Sequence, residues 1–147
     1  MAFFPAGTYD LFLTHAWYYT DEWQELVAIL DGYVPGRWRN WSIPWHDTSI
    51  ERHTEDGKAT LEKLLRGHIR MSSAILLLPE TRKMPDGKLW LEKQLHIAAE
   101  YSKPVIGIRA RDNHRFPQDL AGYVCQVVDR NAAQIIAVAN RLCHTAT

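Results

Sequence analysis

The chain has 147 residues, 46% of them hydrophobic, and its 17 basic and 17 acidic side chains balance to a formal charge of +0. A chain of this length buries roughly two thirds of its unfolded surface without help from a disulfide or metal, and the balanced charge excludes a nucleic-acid binder that works by bulk attraction to phosphate. Two cysteines, Cys125 and Cys143, are too few for a disulfide framework or a zinc site. No apolar run approaches the roughly 20 residues of a membrane span, and the start, Met-Ala-Phe-Phe-Pro-Ala-Gly, lacks the basic and long apolar regions of a signal peptide. The expectation is one cytoplasmic globular domain over 1–147, with no membrane or nucleic-acid partner.

The predicted elements alternate strand and helix. Tyr9–Thr14 is short, apolar and aromatic, a strand. Thr20 can cap a helix in which Trp23, Leu26, Val27 and Leu30 repeat at helical spacing, and Gly32 and Pro35-Gly36 stop it. Trp38–Ile43 reads as a second strand, followed by a long polar loop from Pro44 to Gly57. Leu61, Leu64, Leu65 and Ile69 mark a helix over 58–72. Ser73–Leu78 has no polar alternation, which suits a central strand covered on both faces. After a loop over 81–87, Lys88–Tyr101 is a helix, Pro104–Ile108 a fourth buried strand and Arg109–Pro117 a polar loop. Gln118–Tyr123 reads as a short helical turn, Val124–Val128 as a last strand and Ala132–Leu142 as a closing helix. This order predicts an α/β fold, a parallel sheet with helices on both faces, in which ligands sit beyond the carboxyl ends of the strands.

Three of the segments at those ends carry polar or aromatic groups of interest. Thr14–Tyr19, with His15 and Trp17, leads into a helix N-terminus, which favours anions, although its spacing matches neither the dinucleotide fingerprint nor a Walker loop. Trp45, His46 and Asp47, with His53 further on, offer a His–Asp pair for acid–base work. No nucleophile elbow accompanies the pair and no metal-ligand spacing is recognisable, so a plain polar loop competes with both readings. Trp90 and Gln94 are four residues apart and share one face of a helix, while Glu92 points elsewhere. The plain alternative there is a core Trp90 and a surface Gln94.

The segment Tyr9-Asp10-Leu11-Phe12-Leu13-Thr14-His15-Ala16-Trp17 resembles the opening of TIR and TIR-like domains. Arg39–Asp47 resembles the second strand and following loop of the bacterial TIR-like subfamily of Thoeris antiphage defence. Ile69–Leu78 and Trp90–Ile108, ending Lys103-Pro104-Val105-Ile106-Gly107-Ile108, are similar to later segments of that family. Four motifs in order cover nearly the whole chain. The resemblance implies a flavodoxin-like TIR fold, a five-stranded parallel sheet with helices on both faces. It also implies cleavage of the nicotinamide–ribose bond of NAD, which is substrate and not cofactor, with no metal. The product would be an ADP-ribose-derived signal, a cyclic isomer or an adduct, that activates a separate effector protein, and the enzyme would work as a homo-oligomer. In that family a Trp is followed four residues later by a catalytic Glu.

Here the position four residues after Trp90 is Gln94, and counting back from Lys103-Pro104 gives the same residue. Gln keeps the shape and hydrogen-bonding capacity of Glu without its charge. Loss of a carboxylate that faces a developing oxocarbenium ion costs on the order of a hundredfold or more in rate. The resemblance therefore implies a silenced form of the enzyme, either an engineered Glu-to-Gln variant that holds ligand without turnover or a natural binding module that has lost catalysis. Gln94 marks the catalytic position, Trp90 stacks on a ring of the ligand, His15, Ala16 and Trp17 line the diphosphate and ribose side, and Trp45, His46 and Asp47 form a lid. The competing expectation is a non-catalytic scaffold or nucleotide-binding module that acts by homotypic assembly, with Trp17, Tyr18 and Tyr19 as contacts. A phosphoryl receiver of similar architecture would need an acidic cluster at the strand ends, which Thr14-His15 and Pro79-Glu80 do not supply.

Overall fold

The computed structural model describes residues 8–16, 19–42 and 54–144. Five strands, β1 (Tyr9–Leu13), β2 (Trp38–Asn40), β3 (Ala74–Leu77), β4 (Val105–Ile108) and β5 (Gln126–Val128), form one sheet in the order β2-β1-β3-β4-β5. Every neighbouring pair is parallel, for example Leu11 opposite Ala74 and Ile75 opposite Val105. The α/β class and the five-stranded parallel sheet predicted from the sequence are therefore the observed ones. Among the described residues, four helices connect or follow the strands: α1 (Asp21–Tyr33), α2 (Glu55–Met71), α3 (Gly87–Glu100) and α4 (Ala132–His144).

The strands look continuously apolar because successive side chains serve two cores. Leu11, Leu13, Leu76, Ile106 and Ile108 pack with Leu26 and Leu30 of α1 and Ile135 and Ala139 of α4. Phe12, Ile75, Leu77 and Val105 pack on the opposite face with Leu61, Leu65 and Ile69 of α2 and Trp90, Leu91 and Leu95 of α3. β1, β3 and β4 thus alternate between the α1/α4 layer and the α2/α3 layer.

The helix starts follow cap chemistry. The Thr20 hydroxyl accepts from the Trp23 N–H at 3.1 Å, and Asp21 and Glu22 follow in the first turn. The Thr54 hydroxyl accepts from the Gly57 N–H at 2.9 Å, so α2 begins at Glu55, three residues before the predicted start, and Gly57 lies inside it. α1 likewise continues through Gly32 to Tyr33. β2 is shorter than predicted: Trp41 and Ser42 form a turn, and Ile43 lies outside the described residues. The predicted loop after β3 holds a 3-10 turn, Pro79–Lys83. At the start of α3, a Cβ on Gly87 would lie 2.1 Å from the Thr81 carbonyl oxygen. Only a glycine lets α3 seat this closely on that turn. On β4, a Cβ on Gly107 would meet the ring of Phe116 at 2.7 Å, so the ring occupies the space beside this strand.

Candidate functional site at the carboxyl edge of the sheet

The strand order reverses direction between β1 and β3, so the connections after these two strands run to opposite faces, and the carboxyl ends at such a switch point are where parallel sheets of this kind bind ligands. The residues after β1 enter this region. The Thr14 N–H continues the ladder to the Leu76 carbonyl at 3.0 Å. Its hydroxyl accepts from the Leu78 N–H at 2.9 Å and lies 3.0 Å from the Thr81 hydroxyl. Thr14 and Thr81 are both 1% exposed, so these hydroxyls staple the ends of β1 and β3 inside the protein.

Gln94 comes to the same place from α3. Its side chain is completely buried. The Oε1 accepts from the His15 N–H at 3.1 Å, and the Nε2 donates to the His15 carbonyl at 2.5 Å. One amide thus satisfies both peptide groups of one residue, as a neighbouring strand would. The expectation of a surface Gln94 does not describe this residue. Trp90 is 3% exposed and belongs to the core between the sheet and the α2/α3 layer. His15 and Ala16 are also buried, at 2% and 0%. The His15 Nδ1 lies 3.1 Å from the Ala16 carbonyl, which can only accept, so the proton of that contact sits on Nδ1. The imidazole stands 5.4 Å from the ring centres of Phe12 and Tyr19, and Tyr19 stacks on Trp23 at 3.9 Å. The Tyr19 hydroxyl donates to the Ser42 carbonyl at 2.9 Å, which ties the β1–α1 loop to the end of β2.

The structure therefore brings His15 and Gln94 into direct contact, with Ala16 beside them and Trp90 one turn before Gln94 on α3. Trp17, Tyr18, Trp45, His46, Asp47 and His53 lie outside the described residues. Behind β2, the buried Asp10 carboxylate accepts from Arg39 Nη2 at 2.8 Å and from Trp41 Nε1 at 3.0 Å. The Arg39 guanidinium is raised above its ordinary value, first by this hydrogen bonding and then by the charge of Asp10. Nearby on α2, His68 stands against Trp41, and burial lowers its imidazole below 6.5.

A second cluster, not anticipated from the sequence, joins the ends of β3, β4 and β5. Glu80 is 3% exposed. Arg130 Nη2 donates to both of its oxygens at 3.0 Å, and the Arg111 N–H donates to Oε2 at 2.8 Å. The same guanidinium reaches the carbonyls of Arg109 and Glu22 at 3.3 and 3.4 Å. Glu22, also buried, accepts from Lys83 at 3.2 Å, and this contact leads the causes that raise the lysine. In sequence this cluster is scattered over four segments, and the only local hint is a charged residue directly after a buried strand at Pro79-Glu80. Beside it, a cavity of about 310 Å³ opens between the Pro79–Lys83 turn and the loop after β4, lined in part by Arg82, Lys83, Asp112 and Asn113. Of the site residues named from the sequence, none of those described, His15, Ala16, Trp90 and Gln94, lines it.

Among the described residues, no group of three or more His, Cys, Asp or Glu side chains could hold a metal ion, and no helix is long and apolar enough to cross a membrane. No protein-family model matches the chain, and no curated protein matches it.

Proposed function

We propose that this chain is a TIR-like domain of the type that cleaves the nicotinamide–ribose bond of NAD, in a form silenced by Gln94 at the catalytic carboxylate position. The reading rests on one observation above the others. The residue one helical turn after Trp90 lies against His15 after β1, at the carboxyl end of a 2-1-3-4-5 parallel sheet, the end where such sheets take ligands. In this reading NAD is the substrate, and His15, Ala16 and Trp17 line its diphosphate and ribose side. Trp90 stands in the core behind Gln94, and Trp45, His46 and Asp47 close over the ligand. With Glu at position 94, the carboxylate would face the positive charge that develops as nicotinamide leaves. With Gln the charge is gone and the amide is spent on the His15 backbone, and the rate falls on the order of a hundredfold or more. The restored enzyme would release an ADP-ribose-derived signal, cyclic or attached to an acceptor, in antiphage defence, and a separate effector would read it.

The test is the Gln94→Glu variant assayed for nicotinamide release from NAD, at several protein concentrations so that assembly is covered. Release by the variant and none by the parent is expected. No release at any concentration overturns the enzyme reading.

A second reading has its own support. Both polar atoms of Gln94 are committed to the His15 backbone and the residue is fully buried, as suits a non-catalytic module that acts through homotypic assembly. Calorimetric titration of the parent with NAD and with ADP-ribose separates the two. Saturable binding supports the nucleotide site, and its absence supports the scaffold.

A further inference from the structure

We propose that Gln94 is a positioning residue whose amide locks the β1–α1 loop, and that position 94 cannot hold this lock and carry a negative charge at the same time. The argument needs only hydrogen-bond complementarity. The His15 peptide presents one donor and one acceptor to α3, and a carboxamide is the side chain that answers both. The N–H meets Oε1 at 3.1 Å and the C=O meets Nε2 at 2.5 Å. An ionised carboxylate at the same place keeps the first contact and sets a second acceptor, with charge, against the His15 carbonyl. No water replaces the lost bond cheaply, because the site is fully buried. A glutamate there has two ways out: it stays protonated and donates to the carbonyl, or it ionises and the loop lets go.

The groups around the clamp do not offer an escape. From the β1–α1 loop, the His15 imidazole is turned to the Ala16 carbonyl. On α3 itself, Glu92 and His96 are exposed and Lys93 is half-buried on other faces of the helix. From the turn after β3, Glu80 is already satisfied by Arg130 and the Arg111 N–H. From α2, His68 stands beside Trp41. The inference concerns the site of the reading above, but its test needs no nucleotide, so either can fail without the other.

The experiment compares urea unfolding of the parent, Gln94→Glu and Gln94→Met between pH 4.5 and 8. A carboxyl held neutral by the fold has a raised folded-state pKa. Its stability is therefore full below the unfolded value near 4.3 and is lost as pH rises toward the folded value. Relative to the parent, the folded-to-unfolded ratio of Gln94→Glu should fall about tenfold per pH unit within that window. Gln94→Met, which removes both bonds and has nothing to titrate, should be weakened by the same factor at every pH. A Gln94→Glu deficit that is flat with pH, or absent at pH 8, overturns the proposal. So does Gln94→Met unfolding with the parent, or a Gln94→Glu chain that is unfolded even at pH 4.5, where the neutral acid should still close the clamp.

Discussion

The β1–α1 loop and the loop after β4 leave the same edge of the sheet two strands apart, and they are held there by different forces. The first is fixed by uncharged groups, the Thr14 and Thr81 hydroxyls and the Gln94 amide, each in direct contact with backbone. The second stands on ions, with Arg130 between Glu80, Glu25 and two carbonyls, and Lys83 and Arg111 converging on Glu22. Neutral hydrogen bonds inside a protein are directional and indifferent to salt. Buried ions are strong only while every partner is present, because each carries a desolvation cost that its partner must offset. The start of the β1–α1 loop, Thr14 and His15, should therefore keep its geometry across conditions, while the β4 side should depend on its full complement of charges.

The largest effect expected from this contrast is at Arg130. Arg130→Ala leaves Glu80 buried and unpaired, and should lower stability by about 3–5 kcal/mol in denaturant titration. Changing both partners, Glu80→Gln with Arg130→Met, should recover most of that loss. A single variant as stable as the parent would erase the distinction between the two regions. Next comes the neutral side. Thr14→Val keeps the shape but strands the Leu78 N–H, and should cost about 1–3 kcal/mol. That cost should be unchanged between low and high salt, and a loss that shrinks with salt would show that charge matters there after all. At the entry to α1, the Thr20→Ala change removes a cap and should cost about 1 kcal/mol by thermal melting. The smallest effect is a pH dependence. Burial lowers the His68 imidazole below 6.5, so the folded state favours the neutral ring. Stability from this group is complete above 6.5 and is lost as pH falls from there through the lower folded-state value. The slope of melting temperature against pH between 7 and 5 should flatten in His68→Gln, and an unchanged slope would remove His68 as its source.

The strands and their faces were legible because each buried strand writes its own signature, a short run with no polar break. The helices were legible in their middles, where Leu61, Leu65 and Ile69 repeat. Their beginnings were less so: Thr54 caps α2 seven residues before the apolar repeat starts at Leu61, and Gly57, read as the end of a polar loop, sits in the first turn. The same limit applies to the site. That Trp90 and Gln94 share a face follows from helical spacing alone. That Gln94 meets the His15 backbone, 79 residues away, does not, because a backbone partner leaves no mark in the sequence. The Glu80–Arg130 pair spans 50 residues and two separate loops, so neither residue announces the other.

Gly107 carries one more consequence. The seat it leaves vacant on β4 is filled by Phe116, a residue from the far end of the loop that follows the same strand. That loop is thus bolted to the sheet from below, through its own aromatic ring, as well as from the side through Glu80. The wall it raises beside the cavity is a fixed jamb and not a swinging door, so whatever enters that hollow must match a shape already set.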